Sequence, residues 1–174
     1  MTVYGVVRTD RLSATKDGNI RSAKYYGGAT YDAIENGMLV EVSELVDPSA
    51  NREIFKAVKA QTTSLNVGVV ATPEIIYDEQ LKSTGALENF INPANQAITV
   101  LMLAPGDLLS VSDECINLNS QTLEKGRLLI ADVSTPKWKA VASVSTETLV
   151  GEIIARELYR GNKYLNVIQI KKAN

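Results

Sequence analysis

The 174-residue chain carries 18 basic and 20 acidic residues, one cysteine and no histidine, for a formal net charge of −2. A chain of this length can bury enough apolar surface to fold as one domain, or as one domain with an arm, without covalent cross-links. The single Cys115 excludes an internal disulfide, and the lack of histidine excludes Ser-His-Asp and Cys-His catalytic arrangements. Because zinc sites usually need several Cys and His ligands, we expect no metal.

The charges are unevenly distributed along the chain. Residues 1–24 hold five basic and two acidic residues, residues 25–120 hold four and thirteen, and residues 121–174 hold nine and five. One interpretation is ordinary scattered surface charge; the other is that the basic N-terminal segment docks on an acidic surface of another copy or of a different protein. The basic residues lack the interleaved aromatic residues of single-strand binders, so we expect no direct binding of nucleic acid.

The N-terminal residues 1–24 are mostly polar, which indicates an extended arm held by a few apolar residues such as Val3, Tyr4, Val6 and Val7. The alternative is that residues 4–7 form an edge strand of the core sheet. The start lacks the pattern of a signal peptide, and the longest uncharged run, residues 89–106, holds prolines and amides that membrane helices seldom accept. We therefore expect synthesis in a cytoplasm and no membrane segment.

Short extended segments alternate with turns in the acidic middle of the chain. Asn36-Gly37 predicts a hairpin turn into a strand at residues 38–42, although residues 30–37 could instead form a helical turn. Residues 53–58 and 65–72 have the patterns of strands, and Pro73 indicates an edge or a strand junction after the second. A short helix fits residues 83–91, and residues 83–97 are a candidate internal junction.

The central prediction is a hairpin between residues 98 and 116. Residues 98–103 are an uncharged run of strand formers, Pro105-Gly106-Asp107 is a turn sequence, and residues 109–112 alternate apolar and polar side chains. This pattern predicts two buried strands around one tight turn.

The C-terminal part predicts further strands at residues 127–132, 138–144 and 164–171. The apolar residues of 149–158 fit the periods of both a helix and a strand, and Gly151 and its β-branched neighbours favour a strand. Gly161-Asn162 lies in a turn between residues 149–158 and 164–171, so the chain should close on a terminal hairpin. The predicted fold class is mainly β: a compact antiparallel β-sandwich or barrel-like domain of residues 25–174, an extended N-terminal arm, and at most one or two short helices.

We find no residues with the spacing of a catalytic site. The adjacent acids Asp78-Glu79 and Asp113-Glu114 would face opposite sides of a strand, whereas the two carboxylates of a glycosidase share one cleft. Phosphate-binding, dinucleotide-binding and calcium-binding motifs are absent from the sequence. Cys115 follows two acidic residues, so we interpret it as a small buried apolar residue. The prediction is a protein without catalytic activity or cofactor.

Several short motifs follow one another along most of the chain. They are a tyrosine-rich polar start, Glu35-Asn36-Gly37 leading to Val40-Glu41-Val42, Pro73-Glu74-Ile75-Ile76-Tyr77-Asp78-Glu79, Pro105-Gly106-Asp107-Leu108-Leu109-Ser110-Val111, Val150-Gly151-Glu152-Ile153-Ile154 and a final apolar strand. This order resembles that of small head proteins of tailed bacteriophages, the capsid decoration or cement proteins.

The resemblance implies a structural protein on the outside of the expanded capsid, where it would stabilise contacts between major capsid protein subunits without doing chemistry. Its partners would be the major capsid protein and further copies of itself, and it would reach the virion after synthesis in the host cytoplasm. The candidate capsid contacts are arm residues and two tyrosines where the arm meets the body: Tyr4, Val6, Arg8, Arg11, Tyr25 and Tyr26.

Three alternatives stay open on the sequence. A small β-barrel binding module could use the same strands to hold a peptide, a carbohydrate or a nucleic acid. Another virion part, such as a tail or head-completion protein, would need the same kind of β fold. An enzyme that works through carboxylates alone would show an acid pair with a raised pKa.

Overall fold

The computed structural model describes residues 3–9, 19–49, 51–75 and 86–173, and these residues are built mainly from strands. In chain order the strands are β1 (Val7–Arg8), β2 (Ile20–Tyr25), β3 (Leu39–Asp47), β4 (Asn51–Lys59), β5 (Val67–Val70), β6 (Ile98–Met102), β7 (Leu108–Ser112), β8 (Ile116–Asn117), β9 (Leu128–Ala131), β10 (Trp138–Val141), β11 (Val150–Arg160) and β12 (Lys163–Lys172). Short 3-10 turns occur at Ala86–Asn89 and Asp113–Cys115. The predicted mainly β fold is confirmed. No helix in the described ranges is long and apolar enough to cross a membrane.

Strands β2 to β6 close into a five-stranded barrel in the order β2-β4-β3-β5-β6. β2 and β4 run parallel, and the other neighbours run antiparallel. Small and β-branched side chains fill the fully buried positions, because a barrel of five strands encloses little volume. Examples are Ala23, Val40, Ala57, Val69 and Val100.

The other strands form a seven-stranded sheet in the order β1-β7-β12-β11-β9-β10-β8. The predicted terminal hairpin is confirmed, because β11 and β12 pair antiparallel along their length around Gly161-Asn162. In this sheet β8 and β10 are the parallel neighbours.

The barrel and the sheet share one hydrophobic core. Trp138 on β10 is fully buried, and its indole N–H donates a hydrogen bond to the carbonyl of Gly37 over 3.1 Å. Next to it, the backbone N–H of Leu39 donates to the carbonyl of Pro136 over 2.7 Å. The start of the barrel strand β3 is therefore hydrogen-bonded directly to the segment that leads into the sheet strand β10.

The predicted central hairpin is wrong. β6 belongs to the barrel and β7 to the sheet, so the turn at Pro105-Gly106 carries the chain from one to the other. Gly106 has a φ of +94°, and the buried Asp107 accepts a hydrogen bond from the N–H of Ala104. The turn chemistry was recognisable, but the strand formers on each side do not specify their partners. The sequence suggested an internal junction at residues 83–97. The described part of that range, residues 86–97, lies between the barrel strands β5 and β6, so the chain passes from the barrel to the sheet at the Pro105-Gly106 turn instead.

The Asn36-Gly37 turn exists but does not join two paired strands. Gly37 has a φ of +82°, as such turns require, and β3 begins two residues later. β3 pairs with β4 and β5, whereas Ile34 forms an isolated bridge with Asn92. The predicted hairpin at this turn is therefore wrong.

The described parts of residues 1–24 are integral to the two sheets, so the extended-arm interpretation does not hold for them. β1 pairs with β7 at the sheet edge, so the alternative of an edge strand at residues 4–7 agrees with the structure only at Val7. β2 is a barrel strand. A side chain at Gly5 would lie 2.7 Å from the Asn36 carbonyl oxygen and from the Cys115 sulfur. A few buried residues thus hold a mostly polar segment in place. Residues 10–18 lie outside the described ranges.

Candidate functional site

The structure describes five of the six predicted contact residues and places them on different elements. Tyr4 is half-buried and its N–H donates to the Glu88 carbonyl, Val6 is buried, and Arg8 is exposed at the edge strand β1. Arg11 lies outside the described residues. Tyr25 and Tyr26 follow one another at the end of the barrel strand β2. The five described residues therefore do not all reach the surface, because Val6 is buried.

Tyr26 belongs to a compact set of side chains on the barrel, Lys24, Tyr26, Tyr31 and Lys56, which we call the tyrosine–lysine surface. The Tyr26 and Tyr31 rings meet edge to face, with centroids 5.6 Å apart. Lys56 Nζ lies 4.3 Å from the Tyr26 ring centroid, and Lys24 Nζ lies 5.8 Å from that of Tyr31. Aromatic faces attract cations at these distances.

The parallel pairing of β2 with β4 explains this arrangement. It places Lys24 directly opposite Lys56, and like charges in that position repel each other. The two rings and two polar partners offset the repulsion: Lys24 Nζ donates to Asn95 over 3.0 Å, and Lys56 Nζ lies 3.4 Å from a Glu44 carboxylate oxygen.

A tight loop brings the two tyrosines together. Tyr26 and Tyr31 form an isolated bridge, and the N–H of Gly27 donates to the Thr30 carbonyl over 3.0 Å. A side chain at Gly27 would overlap the Asp32 carboxylate, which would have to turn away to make room.

An open groove of about 400 Å³ runs beside the tyrosine–lysine surface. Tyr26 and Val58 supply apolar area, Lys56 and Lys59 supply positive charge, and Glu41 supplies a carboxylate. Aromatic residues such as Tyr26 are enriched at protein interfaces, whereas lysine and glutamate are more typical of the polar rim.

Tyr25 has a different role from its neighbour. It is half-buried and packs against the main core, while burial and the nearby Asp32 raise the pKa of its hydroxyl. Tyr25 is therefore a packing residue, whereas the Tyr26 ring belongs to the tyrosine–lysine surface.

A second concave feature is the mouth of the barrel, a cavity of about 380 Å³. Its lining includes the apolar Val42, Val67 and Met102, together with Asn66. The Arg21 guanidinium carbon lies 5.7 Å from the Phe55 ring centroid at the same mouth.

Two buried titratable side chains have pKa values that their surroundings shift, and Cys115 is the first. Burial raises the pKa of Cys115 to about 12, and the charges of Glu35 and Glu114 add to this effect, while Ser112 and Lys137 oppose it. The thiol is therefore neutral near pH 7, in keeping with its interpretation as a buried apolar residue.

Among the described residues, no three His, Cys, Asp or Glu side chains come together as metal ligands would.

Asp132 organises the loop between β9 and β10. It is 1% exposed and accepts hydrogen bonds from the Asn117 amide, the N–H and hydroxyl of Ser134, and the Thr135 hydroxyl. Burial by itself raises the pKa of Asp132, but these four donors lower it to about 2.

Sequence reasoning selected Tyr26 but missed Lys24, Tyr31 and Lys56. The two lysines are far apart in the chain, and only the parallel β2–β4 pairing brings them together. The Tyr-Tyr-Gly-Gly sequence at residues 25–28 was the one local signal, because it places aromatic residues beside a tight turn. Comparisons with protein-family models, curated proteins and solved structures gave no match to this chain.

Proposed function

We propose that this chain is a structural virion protein that binds the outer surface of the expanded phage capsid and stabilises contacts between major capsid protein subunits. The order of motifs in the sequence supports this role, and the tyrosine–lysine surface is the observation that carries it. This surface would be the contact with the shell.

The geometry of that surface is favourable for binding. Tyrosine is enriched at the energetic centres of interfaces, because its large ring has few rotatable bonds to immobilise. The two tyrosines face each other across the tight loop that follows the barrel strand β2, and each ring already contacts a lysine. A preorganised surface loses less entropy on binding than a flexible one. Many copies on one shell would then reinforce one another's stabilising effect.

The proposed partners are the major capsid protein and further copies of this chain. The proposed location is the capsid exterior, after synthesis in the host cytoplasm. Catalysis, a cofactor, a membrane and direct nucleic-acid binding have no part in the proposal.

Co-sedimentation with heads of the phage that encodes the chain tests this proposal. We expect saturable binding to expanded, DNA-filled heads at a fixed ratio to the major capsid protein, and none to unexpanded precursor shells. Tyr26→Ala should raise the dissociation constant about thirtyfold, as loss of a central interface tyrosine does. Lys56→Gln should weaken binding by a smaller factor than Tyr26→Ala. The effect of Lys56→Gln should be larger at low salt than at high salt, because salt screens the lysine charge.

The matched control is Lys125→Gln, which removes an exposed lysine from the loop before β9. Binding by this variant should equal that of the unaltered protein. Deletion of residues 1–24 is not a usable test of contact, because it removes the barrel strand β2. Failure of the unaltered protein to bind either shell would contradict the proposal and favour a tail or head-completion part.

The barrel mouth favours a second candidate, a non-catalytic small-barrel binding module. Its cavity has the size of a ligand site, and barrel mouths commonly hold ligands. Calorimetric titration with short oligosaccharides and oligonucleotides would test this function. Binding that Phe55→Ala abolishes would support it, whereas no heat with either ligand class would contradict it.

A further inference from the structure

The mouth of the barrel is a continuation of its inner face. Side chains two positions apart in a strand point to the same side, and four barrel strands each hold a fully buried residue that faces inward. These residues are Ala23, Val40, Ala57 and Val100. Two positions away, at the same end of the barrel, the four strands hold Arg21, Val42, Phe55 and Met102. All four line the cavity of about 380 Å³, so strands of the closed barrel fix its wall.

Arg21 gives this cavity its charge. Among the described residues of the lining, Arg21 is charged and the others are amide, hydroxyl or apolar side chains. The Arg21 side chain points inward, because Arg21 lies directly opposite the buried Val100 in the β2–β6 pair. Glu53 lies two positions before Phe55, but it is exposed and is not part of the described lining.

The Phe55 ring orients the guanidinium without neutralising it. The guanidinium carbon lies 5.7 Å from the ring centroid, and no carboxylate of a described residue forms an ion pair with Arg21. An arginine that stacks on a ring keeps N–H donors at the edge of its planar group. Because a half-buried charge is costly without a counter-ion, this position favours a ligand that supplies the negative charge.

Two asparagines add neutral donors to the cavity. Asn19 and Asn66 belong to its lining, and neither side-chain amide is hydrogen-bonded to a described residue. Asn66 has a φ of +56°, a left-handed conformation that asparagine adopts more readily than most residues. Its carbonyl accepts a hydrogen bond from the N–H of Val42 over 3.2 Å, which holds it beside the apolar wall. One positive charge with neutral donors around it matches a ligand with one negative charge.

We propose that the barrel mouth binds a small organic carboxylate whose apolar part lies against Val42 and Met102. The planar fork of an arginine matches the two oxygens of a carboxylate, and the apolar wall accommodates a short hydrocarbon chain. The cavity volume lies at the small end of the range for ligand sites.

The inference rests on the mouth being a ligand site, as the second candidate function does, but it names a small monoanion where that function takes an oligomer. It does not depend on capsid binding, because the described lining of the cavity shares no residue with the tyrosine–lysine surface.

Titration of the ¹⁵N-labelled full chain with hexanoate, followed by NMR, tests the proposal. The side-chain amides of Asn19 and Asn66 and the backbone amide of Val42 should shift and saturate, with a dissociation constant of about 1 mM or below. Hexanol keeps the hydrocarbon chain without the charge, and acetate keeps the charge without the chain. Each should bind at least about tenfold more weakly than hexanoate.

Two variants test the role of charge. Arg21→Gln removes the positive charge and should raise the dissociation constant of hexanoate at least about tenfold. Asn66→Asp keeps the shape of the side chain and tolerates the same φ, but it adds a negative charge and should weaken hexanoate binding as well. The matched control Lys125→Gln removes an exposed positive charge away from the cavity and should leave binding unchanged. Circular dichroism melting should show each variant folded.

Absence of shifts with hexanoate, equal binding of hexanol, or unchanged hexanoate binding by either folded variant would overturn the proposal. Binding of oligosaccharides or oligonucleotides without binding of hexanoate would also overturn it, while supporting the second candidate function. Hexanoate binding without oligomer binding would support the proposal and contradict that function.

Discussion

Replacement of Trp138 by Phe should loosen the connection between the sheet and the barrel. The indole N–H donates to the Gly37 carbonyl from a fully buried position, and phenylalanine has no donor. An unpaired buried carbonyl costs about 1–3 kcal/mol, and the smaller ring leaves a gap that costs about 1 kcal/mol more. We therefore expect the free energy of unfolding to fall by about 3 kcal/mol, and the melting temperature by roughly 6–12 °C for a chain of this size.

Urea unfolding followed by far-UV circular dichroism measures this loss, since the substitution removes the only tryptophan. Lys139→Gln is the control, because it changes the next residue of β10, which is half-exposed, and should stay within about 0.5 kcal/mol of the unaltered protein. A loss below about 1 kcal/mol for Trp138→Phe would refute the reasoning that this hydrogen bond holds the sheet to the barrel.

Three further predictions concern other buried positions. Gly5→Ala should destabilise the protein by about 1–3 kcal/mol in thermal melts, since the new methyl group would overlap the Asn36 carbonyl and the Cys115 sulfur. An unchanged melting temperature would show that residues 3–9 do not pack against these atoms. Asp132→Asn should lower the free energy of unfolding by about 2 kcal/mol at pH 7. In the folded protein the pKa of Asp132 is lowered from 3.8 to about 2, so the ionised carboxylate stabilises the protein above pH 4. This contribution is lost as the pH falls from 4 to 2. A variant with the same loss at pH 2 and pH 7 would contradict that assignment. Cys115 should react with a thiol reagent at pH 8 at least about a hundredfold more slowly in the native protein than in urea, because burial keeps it protonated and enclosed; equal rates would place the thiol at the surface.

The strands and turns were largely predictable because they depend on local chemistry. Alternation or uninterrupted apolar runs indicated β4, β5, β9 and the β11–β12 hairpin. The turns at Gly37, Gly106 and Gly161 were recognisable too, and each has a positive φ that favours glycine. The candidate site was predictable only in part, since Tyr26 stands in a local motif whereas its partners come from other strands.

By itself, the sequence of this protein determined the mainly β class, most strand positions and the burial of Cys115, because period-two patterns, turn residues and apolar character act over a few neighbouring positions. Only the tertiary structure decided which strands pair. It placed β6 in a barrel and β7 in a sheet, made β2 a barrel strand rather than part of an arm, and brought Lys24 opposite Lys56. Strand pairing depends on side-chain packing and backbone hydrogen bonds between segments far apart in the chain, and no local pattern specifies those partners.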